Sequence, residues 1–241
     1  LRCFSVKSGE NFYRNLSTQK YSSYLILAQE NEWCVINKKP YKKIDKKDFS
    51  FFENEKKITF DTVIILIHGS PGETGELCSY FESLKIPYSS SNEKASQLTF
   101  NKKKCNDFLR NKSYTVPYSI INKKNDPNIK YPCIVKPINS GSSFGVSKIN
   151  SKHKLNEAIE LAKKYSEDFM IEEFIQGREI TCAVHNFSND KITALPLTEI
   201  ISKNEIFDYK AKYLGQSKEI TPAQIEIKIE EKIKKISKKA Y

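Results

Sequence analysis

Arginine is the scarcest charged residue in this chain. Arg2, Arg14, Arg110 and Arg178 are all it has, among 40 basic and 29 acidic residues. The net charge of +11 raises nucleic acid as a partner. Base readout, however, leans on bidentate arginine, which is poorly supplied here. The lysines are spread with asparagine and isoleucine throughout, a compositional bias rather than a binding face, so no nucleic-acid partner is expected. Long apolar runs are also missing: none approaches the ~20 residues of a membrane helix. Leu1–Gly9 lacks the apolar centre of a signal peptide. The reading is therefore a soluble, cytoplasmic protein with no membrane partner; the first residue is not Met, which leaves a native start upstream. The cysteines (Cys3, Cys34, Cys78, Cys105, Cys133, Cys182) form no Cys-x-x-Cys pair, and no histidine stands at zinc-ligand spacing. Free, mostly buried thiols in a reducing compartment are expected. Internal repeats are absent.

What is present suffices for a core: 39% hydrophobic and 12% aromatic residues in a chain of 241, enough for one large domain or two smaller ones. Residues 5–28 predict a helix and then a strand, with Trp33–Ile36 a short edge strand. The β-branched run Asp61–Ile67 reads as a strand buried on both faces, which points to a parallel α/β sheet. It runs into a glycine-rich turn, His68–Gly75, before a helix over Glu76–Leu84 with Leu77, Tyr80, Phe81 and Leu84 on one face. Residues 87–92 read as a linker and Asn101–Asn111 as a helix. Thr115–Ile121 is a strand, and Leu155–Tyr165 an amphipathic helix. Phe169–Ile175 is a strand that runs into the paired carboxylates Glu172-Glu173 and ends at Gln176-Gly177. Glu179–Phe187 and Lys191–Ile201 alternate around Ser188-Asn189-Asp190 as a hairpin. Thr221-Pro222 is expected to open a last helix striped by Ile225, Ile229, Ile233 and Ile236.

Chemistry concentrates in residues 131–147. A short apolar strand, Cys133–Val135, delivers Lys136, and Pro137 stops regular structure there. The loop Ser140-Gly141-Ser142-Ser143-Phe144-Gly145 follows. Glycines that take positive φ can turn N–H groups inward around an anion, and two hydroxyls add donors. A lysine beside such a loop suits a nucleotide phosphate; a surface turn with an ordinary lysine suits the motif equally well. His68, beyond a strand's carboxyl end, is placed either to contact substrate or to bond within its own turn.

In order along the chain stand His68-Gly-x-x-Gly-Glu-x-Gly75, Ala95-Ser96 with Asn101-Lys102, and Ile134-Val-Lys-Pro137. Gly141-Ser-Ser-x-Gly145, Ile171-Glu172, Gly177-x-Glu179 and Phe207-Asp-Tyr-x-Ala-Lys-Tyr213 follow. Together they resemble the D-alanine–D-alanine ligases of the ATP-grasp superfamily. The resemblance implies an N-terminal parallel-sheet α/β domain followed by a truncated ATP-grasp α+β domain. Its parts are a substrate-side domain over 1–98, a central ATP-grasp subdomain over 99–175, and the start of a C-terminal subdomain over 176–241. ATP and magnesium (or manganese) are the implied cofactors, D-alanine the substrate, and a homodimer the commoner assembly.

By the same resemblance, Lys102, Lys136, Ser143 and Lys212 would hold ATP phosphates. Glu172 would take the adenine amino group, Glu173 and Ile175 would line the linker against the base, and Glu179 would bind ribose. The Gly141–Gly145 loop would close as a lid. Residues 207–215 match a second loop, in which Lys212 reaches the transferring phosphate and Tyr213 bonds with Ser142 near D-alanine. Relatives that make D-alanyl-D-lactate tend to carry Phe at that tyrosine, so Tyr213 favours the dipeptide. His68 would sit near the second substrate. The implied chemistry is phosphorylation of one D-alanine carboxylate and attack by the amine of the other, for peptidoglycan synthesis. Thr74 departs from the family's usual aspartate, and Leu1 falls where the family has an ammonium-binding glutamate. The metal ligands, together with an arginine for the tetrahedral intermediate, are expected beyond Tyr241, so none is assigned in this chain. A ligase whose sequence is incomplete and an inactive remnant that at most binds nucleotide are both compatible with that.

Overall fold

A computed structural model describes residues 2–29, 32–124, 126, 128–186, 191–202 and 217–241. The chain divides into two compact units, Leu1–Phe100 and Asn101–Tyr241.

The first unit runs α1 (Arg2–Asn15), β1 (Ile26–Ala28), β2 (Trp33–Val35), β3 (Lys42–Lys43), β4 (Phe51–Glu53), β5 (Lys56–Ile58), α2 (Glu76–Ser83) and α3 (Glu93–Phe100). Its core is aromatic. Phe49, Phe51, Leu77 and Phe81 are buried with Val35 and Ile44; Phe49 meets Phe81 edge-on with ring centroids 4.9 Å apart, and Tyr80 meets Phe81 edge-on at 5.1 Å. The helix face expected over Glu76–Leu84 is the one buried: Leu77 and Phe81 lie inside, with Tyr80 and Leu84 packed beside them.

Two expectations are corrected here. Trp33–Val35 is the middle strand of an antiparallel sheet β1-β2-β3, not its edge. The expected parallel sheet is not formed: parallel pairing among the described residues is confined to the bridge between Val63 and Tyr88. The run 61–67 is extended, and Val63 donates to Pro87 O at 2.9 Å and accepts from Ser89 N at 2.9 Å. Its other side borders a cavity of about 2160 Å³ that Ile26 and Ala28 also line. Ile64 is left 44% exposed. The β-branched pattern reports a preference for burial between two neighbours, and here the run has one. Residues 93–100, unassigned in the sequence reading, form α3 directly after the expected linker.

The second unit begins with α4 (Lys102–Asn111), followed by β6 (Ser119–Ile121), β7 (Cys133–Pro137), β8 (Ser147–Ile149), a single 3-10 turn at Lys152–Lys154, α5 (Leu155–Lys163) and β9 (Phe169–Glu173). It continues through β10 (Glu179–Thr181), β11 (Val184–His185), β12 (Thr193–Ala194), β13 (Thr198–Ser202), β14 (Ser217–Ile220) and α6 (Ile227–Ala240). An antiparallel sheet β6-β9-β7-β8 packs one face on α5. Cys133, Val135, Phe169 and Ile171 meet Leu155, Ala158, Ile159 and Ala162 there. Burying each Val, Leu, Ile or Phe among them contributes roughly 1.5–3 kcal/mol.

β11 pairs with β12, and β10 with β13, as the expected hairpin requires; its turn, Ser188-Asn189-Asp190, lies outside the described residues. The last helix starts at Ile227, five residues after Pro222, rather than at Thr221-Pro222. Tertiary bonds hold the intervening segment: Ala223 N donates to Leu197 O at 2.8 Å, and Arg178 donates to Gln224 O at 2.8 Å. The stripe Ile229 and Ile236 is largely exposed. The thiols are free as expected, but only Cys78 and Cys133 are buried. No described helix is long and apolar enough to cross a membrane.

Candidate nucleotide site

Strand alternation builds the site. Register sets Ile134 opposite Glu172 and Lys136 opposite Met170 on one side of β7, and Ile134 opposite Lys148 on the other. Paired residues share a face and neighbours along a strand alternate. Lys136, Lys148 and Glu172 therefore stand on the face away from α5, while Val135 and Ile171 enter the core.

Glu172 is the electrostatic centre of that face. Its side chain is 9% exposed. Lys136 Nζ donates to its Oε2, and Asn106 Nδ2, from α4, donates to its Oε1 at 3.1 Å. Lys102 opens α4. Its backbone N–H bonds Ile138 O at 3.2 Å, and its ammonium donates to Ser140 O at the mouth of the loop. Asn101 caps this helix, accepting from Lys104 N at 2.9 Å, and donates to Asn139 Oδ1 at 2.9 Å. Such a cap is worth about 1 kcal/mol. The helix start and the loop entrance are thereby tied together.

In the loop itself, Ser142 and Ser143, at φ 52° and 57°, are left-handed along with Gly145 at 70°, whereas Gly141 is not. The turn expected of the first glycine is made by two serines. Phe144 stacks on Tyr165 at 5.4 Å, pinning the loop to the end of α5.

The structure thus brings Lys102, Lys136, Ser142, Ser143 and Glu172 together in one unit around β7 and β9. Glu173 follows at the end of β9: its Oε1 accepts from Tyr118 N at 3.1 Å, and its own N–H bonds Tyr118 O at 2.9 Å. Ile175 is 59% exposed, and Glu179 opens β10 opposite Ile200. Lys212 and Tyr213, with the whole 207–215 loop, lie outside the described residues. His68 belongs to the first unit. Its N–H donates to Ser5 Oγ at 3.0 Å, and its Nε2 lies 3.4 Å from Ser8 Oγ. The turn beyond it closes on itself, with Glu73 Oε2 accepting from Gly69 N at 2.8 Å.

Two residues on this face were not singled out in the sequence. Asn106 lies one helical turn after Lys102, a spacing that sets both on one side of α4. Lys148 holds its Nζ 4.1 Å from the Phe174 ring centroid and gave no signal beyond strand alternation.

Next to Glu179, Arg178 grips Glu199 on β13 through Nε at 2.6 Å and Nη2 at 2.7 Å. The guanidinium holds the Glu199 carboxyl below its ordinary 4.5. A depressed folded-state pKa gives stability that is present above the unfolded value and lost as pH falls through the folded one. Arg178→Gln is therefore expected to lower the urea midpoint at pH 7. The gap to the parent should narrow as pH drops below about 4.5, leaving the part due to the Gln224 bond; a pH-independent gap would mean that the ion pair contributes nothing to it.

The profile of the family described as D-ala D-ala ligase C-terminus matches residues 99–241. The D-alanine–D-alanine ligase of Phocaeicola vulgatus is 41% identical across 98% of this chain and 76% of its own length. The chain belongs to the D-alanine–D-alanine ligase family. The Flavobacterium johnsoniae D-alanine–D-alanine ligase is 40% identical over the same shares. Among solved structures, the VanG D-Ala:D-Ser ligase from Enterococcus faecalis superimposes with a TM-score of 0.81 at 26% identity, covering 98% of this chain and 77% of that one. The Bacillus anthracis D-alanine–D-alanine ligase does so with a TM-score of 0.74 at 27% identity, over 99% and 73%. The mixed α/β fold is that of these ligases.

Proposed function

We propose that the protein is an ATP-dependent D-alanine–D-alanine ligase of peptidoglycan synthesis. The observation that carries the reading is 41% identity to a ligase of that name over nearly the whole chain. The clustering of Lys102, Lys136 and Glu172 beside a left-handed Ser-Ser loop supports it. In this reading residues 1–98 form the substrate side, 99–175 the central ATP-grasp subdomain, and the C-terminal subdomain starts at 176.

The residues fit a nucleoside triphosphate. Glu172, buried and acceptor-only, suits an amino group of the base, and Glu179 suits ribose hydroxyls. Glu173 and Ile175 form the linker alongside the base. Lys102 and Lys136, joined by Lys212, neutralise phosphate charge, and Ser143 adds a donor. A carboxylate oxygen of the first D-alanine attacks the γ-phosphorus, and the bond to the β-phosphate oxygen breaks to give ADP. The deprotonated amine of the second D-alanine then attacks the acyl carbon, and phosphate leaves with the C–O electron pair. Ser142 and Tyr213 position the first substrate, and His68 stands near the second. Magnesium or manganese supplies neutralisation of phosphate charge when bound. No three His, Cys, Asp or Glu side chains cluster to hold a metal among the described residues.

The test is phosphate release from ATP with D-alanine, D-serine or D-lactate as acceptor, together with identification of the product. Release that depends on D-alanine and yields the dipeptide is expected. ATP turnover indifferent to D-alanine would overturn the assignment.

A further inference from the structure

We propose that Tyr165 is a positioning residue for the nucleotide phosphates: acting through Phe144, its ring holds Ser142 and Ser143 in the backbone conformation that receives them. The inference rests on the nucleotide reading above and extends it to the turn that follows α5. Ser142 and Ser143 lie at φ 52° and 57°. Each left-handed residue that carries a Cβ is disfavoured by roughly tenfold, and such backbone persists only where its surroundings hold it. Two backbone bonds close the loop on itself, and both are long: Phe144 N donates to Gly141 O at 3.2 Å, and Val146 N to Ser143 O at 3.4 Å. The stronger hold comes from outside the loop. The Phe144 ring lies nearly parallel to that of Tyr165, with centroids 5.4 Å apart and planes 26° from each other. Gly145 comes against the same ring, so closely that a β-carbon there would stand 2.8 Å from Tyr165 Cδ2. Tyr165 thus meets the two residues that directly follow the serines. Its neighbours clasp the segment that leads into the loop: Ser166 Oγ accepts from Asn139 N at 3.4 Å, and Asp168 O from Ile138 N at 3.1 Å. Residues 165–168 therefore grip the loop on both sides of the serines.

Tyr165 is itself 45% exposed, so its removal opens no hole in the core beneath α5. An aromatic pair is worth a factor of about five beyond the area that it buries. Together the two left-handed serines outweigh that factor, so losing the stack falls almost in full on the fraction of molecules whose loop is ready for phosphate. Apparent affinity drops in proportion to that fraction. Glu172 and Glu179, which the reading gives to base and ribose, stand on β9 and β10 rather than on the loop, and their contacts should not change.

The experiment measures the Kd of labelled ATP, and its displacement by adenosine, in the parent protein, Y165L and Y165F. Adenosine carries the base and the ribose but no phosphate, so it reports the rest of the site without the loop. In Y165L the Kd for ATP is expected to rise about fivefold, while the adenosine constant stays at the parent value. Y165F keeps the ring and should match the parent in both. A distorted sheet would weaken adenosine along with ATP, which a loop released from its stack does not. Should Y165L fail to fold, F144L removes the other ring of the pair and is read in the same way. An unchanged Kd for ATP overturns the proposal and leaves the nucleotide site standing. So does an equal weakening of ATP and adenosine, or a Y165F that behaves like Y165L. A parent protein that binds neither ATP nor adenosine overturns the nucleotide reading as well.

Discussion

Replacing Lys136 with methionine is expected to lower the free energy of unfolding by about 3 kcal/mol and to cut kcat/KM for ATP by about 10²-fold or more. The two losses have separate origins. Methionine keeps the apolar stem, so packing against the sheet changes little. What disappears is the ammonium on Glu172 Oε2. Glu172 is 9% exposed and Lys136 19%, so the stranded carboxylate cannot recover its hydration without opening the sheet. Asn106 alone then holds it. Breaking a buried pair by removing one partner costs several kcal/mol for this reason, and the partial exposure of Lys136 sets the expected value at the low end. The kinetic loss follows from the proposed role of Lys136 in neutralising phosphate charge. Urea denaturation of K136M with and without E172Q separates the origins. In the E172Q background, where no charge is stranded, the stability cost of K136M should fall below about 1 kcal/mol, while the loss in kcat/KM persists. A K136M midpoint equal to the parent's would show that solvent already screens the pair. An unchanged kcat/KM for ATP would remove Lys136 from the phosphate site.

Much of this site could be read from the chain before its fold was known, and the limits have a physical pattern. Strand β7, its lysine, the serine-glycine loop and the carboxylates of β9 all announce themselves locally, through alternation and turn-forming residues. The contact between Lys136 and Glu172 does not, because 36 residues separate them and only the register of β7 on β9 puts them on one face. Asn106 was missed for the same reason: an ordinary asparagine in a lysine-rich helix becomes informative only opposite a buried carboxylate. The failures elsewhere are of one kind. Periodicity reports how a segment prefers to be buried, not which neighbours it has, so the run 61–67 was read as a doubly covered strand when it has pairing on one side. Thr221-Pro222 carries a sound helix-start signal, yet Leu197 and Arg178 capture the backbone that follows and delay the helix to Ile227. Local propensity gives way wherever a tertiary hydrogen bond competes for the same backbone groups.

Gly145→Ala tests the loop from the other direction, and its expected cost is about 3 kcal/mol. Two terms add. Gly145 sits at φ 70°, where an L-residue loses roughly 1–2 kcal/mol. The new methyl group would also come within 2.8 Å of Tyr165 Cδ2, 3.2 Å of Ala162 Cα and 3.3 Å of Pro137 Cδ. The tyrosine ring can swing aside, but only by leaving its stack on Phe144. Ala162 Cα belongs to α5 and Pro137 ends β7, so neither yields cheaply. The loop must therefore lift from α5 and carry Ser142 and Ser143 with it. Destabilisation should come with a rise in the KM for ATP that persists at temperatures where the variant is fully folded. Gly177→Ala is the control. Its added methyl group meets nothing within 4 Å, and its effect on the midpoint should stay within about 0.5 kcal/mol. If Gly145→Ala is as mild as Gly177→Ala, the loop is not held against α5 in solution, and the left-handed serines are not a preformed phosphate cradle.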